Sequence, residues 1–99
     1  MSNDILEDKY KMHEECCNKL NPIYRSKNTD YDDSFSKNID SMGYISAIVR
    51  MDDKMNRIKA LLLNPENKPK VKDESIADTL MDLANYALML SVEYQLRNK

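Results

Sequence analysis

A single glycine, Gly43, in 99 residues limits this chain more than any other feature. Tight reversals between strands need residues that accept positive φ, and glycine is the residue that does so without strain. A sandwich or barrel of this length would need several such positions. The three prolines, Pro22, Pro65 and Pro69, cannot supply them. The sequence therefore points to an all-α fold. The same count excludes a phosphate-binding P-loop and a dinucleotide-binding fingerprint, both built on more than one glycine. The length suits one domain, residues 1–99, with one modest core.

Charge narrows the partners. Fifteen basic residues against seventeen acidic ones leave a net charge of −2, so direct nucleic-acid binding of the usual basic kind is not expected. No apolar run reaches the ~18 residues of a membrane span, and the opening Met-Ser-Asn-Asp-Ile does not resemble a signal peptide. Cys16 and Cys17 are adjacent and cannot easily bridge each other, which predicts reduced thiols in a cytoplasmic protein. They also lack the spacing of a zinc site, and His13 is the only histidine.

Apolar spacing predicts three main helices. The first covers about 3–20, with Ile5, Met12, Cys16 and Leu20 on one side and Lys9 weakening the stripe. Pro22 is expected to stop it, leaving a long ordered loop over 21–42. The second covers about 43–63, where Tyr44, Ile48, Met51, Met55, Ile58 and Leu62 step by four and three. The third covers about 74–96, with Asp73 as its cap and a core stripe of Ile76, Leu80, Leu83, Ala87, Leu90 and Tyr94. Its C-terminal half is apolar nearly all round, more than three helices from one chain can bury. A homo-oligomer completing a helical bundle is the expected remedy.

Three sets of residues could carry chemistry. Glu74, Asp78 and Asp82 step by four along the third helix, with Asn85 following on the same face. Stacked like charges disfavour an isolated helix, so the line suits either a solvated face or a bound cation such as Mg²⁺. On the second helix Arg50, Lys54 and Arg57 surround Asp53, as ordinary surface pairs or as a phosphate clamp beside one carboxylate. In the expected loop, Lys27 could meet phosphate, Asn28 and Asp30 a sugar or base, and Tyr31 or Phe35 could stack on a base. The alternative is that these residues make turns and plug the bundle.

The strings KNTDYDDSF (27–35), GYISAIVRMDDKMNRIKAL (43–61) and VKDESIADTLMDLANYAL (71–88) resemble the nucleotide-modification-associated domain 1 family, which is small, all-α and common in phage genomes. That family is similar to the MazG-type all-α NTP pyrophosphatases, which hold Mg²⁺ on helix-borne carboxylates. Carried over by position, the resemblance implies metal contacts from Glu74 and Asp78 on the later helix and Asp53 on the earlier one; Asp82 is expected to join them, with Lys27, Arg50, Lys54 and Arg57 at phosphate. Asn28, Asp30, Tyr31, Asn85 and Tyr86 are expected against sugar or base, and no catalytic residue is named. Asp53 stands alone where the enzyme class has two glutamates, and Asp32 stands where relatives typically have glycine. The implied function is a phage-type nucleotide-binding protein of the infected cell's cytoplasm, acting on free nucleotides as a Mg²⁺-dependent pyrophosphatase or binding them without cleavage. Uncleaved binding would suit sequestration of a signalling nucleotide of host defence, and a helical protein-interaction module is the third alternative.

Overall fold

A computed structural model describes residues 3–64, 66 and 76–99. The described residues are 90% helical and form four helices without a strand: α1 (Asn3–Asp30), α2 (Ser34–Met42), α3 (Ile45–Leu63) and α4 (Ile76–Arg97). The all-α expectation holds, while the count of three helices and the loop over 21–42 are corrected. The chain divides into two compact units, Met1–Asp32 and Asp33–Lys99.

In the first unit α1 runs straight through Pro22. Proline removes one helical N–H and crowds the carbonyl four residues back. Here Asn18, Asn21 and Pro22 are all exposed, so water can serve the freed carbonyls. The half-buried positions Cys16, Leu20, Tyr24 and Asn28 step by four across the proline. That rhythm is helical on both sides of it. The break comes later, where Asp32 and Asp33 take φ 53° and 54°. Aspartate accepts this left-handed conformation better than most residues, and glycine accepts it without strain.

The second unit is built on α3, which packs against both α4 and α2. Phe35 and Ile39, one turn apart on α2, join Ala47 of α3 in the core, and Tyr44, Tyr86, Met89 and Leu90 pack around them. Gly43 makes the corner between α2 and α3, donating its N–H to the Ile39 carbonyl at 2.8 Å. Asn64 ends α3 in extended conformation. The predicted cap Asp73 and the start of the last helix at 74 lie outside the described residues.

α4 is turned differently from the sequence expectation. Leu80, Ala87 and Tyr94 of the predicted core stripe are exposed, whereas Thr79 and Asn85 are buried and Asp82 is half-buried. Among the described residues no buried side-chain polar atom lacks a hydrogen-bond partner, so the inward polar face is satisfied.

Arg97 fastens the end of α4 to α2. Its guanidinium donates to Asp40 at 2.7 Å, to Glu93 at 3.0 Å, and to the carbonyl and hydroxyl of Ser36 at 3.1 Å each. The hydrogen bond to Asp40 pushes its pKa above the ordinary arginine value. Arg97→Ala is expected to lower the melting temperature followed by circular dichroism. Arg97→Lys should restore only part of the loss, because an ammonium cannot fork across Asp40, Glu93 and Ser36. The deficit should shrink in high salt, which screens the ionic share.

Candidate functional site

The second unit carries one candidate site. Arg50, Asp53, Lys54 and Arg57 lie within two turns of α3, on the flank away from Ile48 and Met55, and that spacing gathers them on one face. Together with Tyr86 of α4 they line a hollow of about 270 Å³. The Tyr86 ring is held from behind by Phe35, with centroids 6.1 Å apart and planes at 27°. Three cations and one carboxylate on α3, beside an aromatic ring, make a positively biased recess.

Lys54 reaches across to α4 and donates to Asp82 at 3.2 Å, both side chains being about one-third exposed. This pair explains the half-buried acid on α4: the turn of the helix that brings Asp82 inward also gives it a counter-charge. It also joins a residue expected at phosphate to one expected at metal.

The other candidate residues fall as follows. Asn85 is buried one turn from Asp82, and Asp78 is exposed in the first turn of α4. Glu74 lies outside the described residues. Among the described residues no three His, Cys, Asp or Glu side chains group closely enough to hold a metal ion by themselves. Lys27, Asn28 and Asp30 occupy the last turn of α1, and Tyr31 follows it; all four belong to the first unit. There the Tyr31 N–H donates to the Lys27 carbonyl at 3.0 Å, closing the helix. Phe35 sits in the core against Tyr86 rather than in a loop.

Sequence reasoning had no place for the Arg97 clamp to Ser36 and Asp40. The available signal was a lone cation in the last turn of the final helix, where it also complements the helix dipole.

The family model described as nucleotide modification associated domain 1 matches residues 27–93, two thirds of the chain. The chain belongs to that family. The match takes in α2, α3 and most of α4, and so every residue of the recess. No curated protein and no solved structure matches the chain significantly. The description of the nucleotide modification associated domain 1 family associates it with nucleotide modification.

Proposed function

We propose that the second unit binds a free nucleotide or nucleotide derivative by its phosphates, with Arg50 and Arg57 as the main contacts and Lys54 as a third. The observation that carries this is the gathering of three α3 cations around one hollow that Tyr86 also lines. Guanidinium groups present paired N–H donors that match phosphate oxygens two at a time. The volume of about 270 Å³ is below the roughly 300–1,000 Å³ of pockets that enclose a whole small molecule. It suits the phosphate chain, with the nucleoside lying against Tyr86 at the rim.

The cations carry binding, and binding is the step assigned to them. Cleavage between phosphates, the MazG-like form of the function, needs in addition an activated water and charge neutralisation at the leaving group. A protein that binds without cutting acts by sequestration, which also suits a small chain of this kind.

The test is a thermal-shift and calorimetry panel of ribo- and deoxynucleotides, cyclic nucleotides and inorganic triphosphate, each with and without Mg²⁺. A ligand that binds the native state raises the melting temperature. Phosphate-rich ligands are expected to raise it and nucleosides to leave it unchanged. Failure of every phosphate-bearing ligand to shift the melt would overturn the reading. The ligand recovered afterwards separates the two forms: released pyrophosphate identifies hydrolysis, and intact ligand identifies sequestration.

A further inference from the structure

The outer face of α4 belongs to no site described so far. At 100° per residue, its charged side chains Asp78, Asp82, Glu93 and Arg97 fall within an arc of about 100°. Ala77, Leu80, Ala84, Ala87, Leu88, Ser91 and Gln95 fill a second arc of about the same width, centred opposite the first. A whole side of a 22-residue helix therefore carries no charge. Leu80 is 45% exposed and Leu88 51%. The arrangement is inside out for an isolated unit, because Thr79 and Asn85 are buried while Ala77, Leu80, Ala87 and Leu88 are exposed.

We infer that a second copy of this chain covers that face, α4 packing on α4. Three observations choose this occupant. Ala77, Ala84 and Ser91 repeat every seven residues, as do Leu80 and Ala87, which is the seam of paired helices, and its small side chains permit close approach. An uncharged face meets its own copy without like-charge repulsion, and each chain brings a net charge of only −2. The core also needs more cover than one chain gives: among the described residues the buried apolar side chains are Phe35, Ile39, Ala47 and Ile58 alone. Units of this size commonly add a disulfide, a metal or a partner subunit, and both cysteines are free.

Area sets the strength of the pair. A helix of 22 residues is about 33 Å long and offers roughly 350 Å² along one face. A standard interface takes about 800 Å² from each partner. Ile48, Met55 and Leu62, exposed along α3, add apolar surface to the same unit. A dimer that dissociates on dilution is expected.

Sedimentation across a range of concentrations up to about 200 µM, with thiol cross-linking, tests this. The mass should rise toward twice the 11.6 kDa of one chain. In a Cys16→Ser, Cys17→Ser background, Ala84→Cys or Ala87→Cys should form a disulfide-linked dimer under mild oxidation. Ala87→Glu should hold the mass at one chain; if that variant does not fold, the cross-link decides. A monomer at every concentration overturns the proposal, whether the cysteine at 84 is open to a thiol reagent or shielded by another part of the chain. So does a dimer that persists in Ala87→Glu and gives no cross-link at either position.

Discussion

Gly43→Ala lowers stability by about 1–3 kcal/mol, the range for a residue forced into a sparsely populated backbone region. Gly43 has φ 83° and ψ −177°, a combination that is essentially reserved for glycine. Space is not the reason, because a Cβ built there meets nothing within 4 Å. The cost is therefore in the backbone and should depend little on side-chain length: alanine, serine and glutamine, none of them β-branched, are expected to lose similar amounts. Asparagine should not rescue the position, since its tolerance is for the left-handed helical region near ψ 47°, not for extended ψ. The corner cannot relax cheaply. The Gly43 N–H caps α2 on the Ile39 carbonyl, and the Gly43 carbonyl accepts from the Ser46 N–H at 3.2 Å and its hydroxyl at 3.0 Å. In a domain of this size each kcal/mol moves the melting temperature by roughly 4–8 °C. Thermal melts of the three variants check this. An unchanged Gly43→Ala melt would refute backbone strain, and a loss that grows with side-chain size would point to crowding.

The lone glycine thus made the all-α class legible and also marked the corner between two helices. α3 and α4 were legible because long apolar stripes dictate a period of 3.6 whatever packs against them. α2 was not. Its nine residues bury only Phe35 and Ile39, and a single apolar pair one turn apart is too short a pattern to separate from a polar loop. Pro22 hides the full length of α1, although the four-residue rhythm of Cys16, Leu20, Tyr24 and Asn28 continues across it. On an exposed helix one missing hydrogen bond is a local cost, and it did not end the element.

The same division applies to the recess. Arg50, Asp53, Lys54 and Arg57 share a flank because they share a helix, so spacing alone gathers them. Tyr86 and Asp82 join them only through the rotation of α4 about its axis. Sequence could not fix that rotation, since apolar side chains occupy most of the helix and several faces could have turned inward. The rotation adopted trades Leu80 and Ala87 for Asp82 and Asn85, and the Lys54–Asp82 pair is part of what holds it. Charge on α4 thus sits where α3 can answer it, leaving the uncharged side outward.

Removing either arginine of the recess should weaken nucleotide binding more than any other single change. A hydrogen bond to a charged group is worth about 1.5–3 kcal/mol, so Arg50→Ala and Arg57→Ala are each expected to raise Kd by roughly 10–150-fold. Calorimetry with the best ligand of the panel reads this directly, and melting temperatures without ligand show whether fold stability changed as well. Asp82→Asn then separates two roles for the acid. As the partner of Lys54 at 3.2 Å, Asp82 offsets the ammonium's charge beside the hollow. Neutralising it leaves Lys54 more of its charge for phosphate, and affinity should hold or rise without needing Mg²⁺. If Asp82 instead held a cation that bridges to the phosphates, the same change would abolish the Mg²⁺-dependent part of the binding. Retained affinity in Asp82→Asn together with loss in Arg57→Ala assigns the recess to direct phosphate contact. The opposite pair of results would move recognition to the metal and overturn the role given to the arginines.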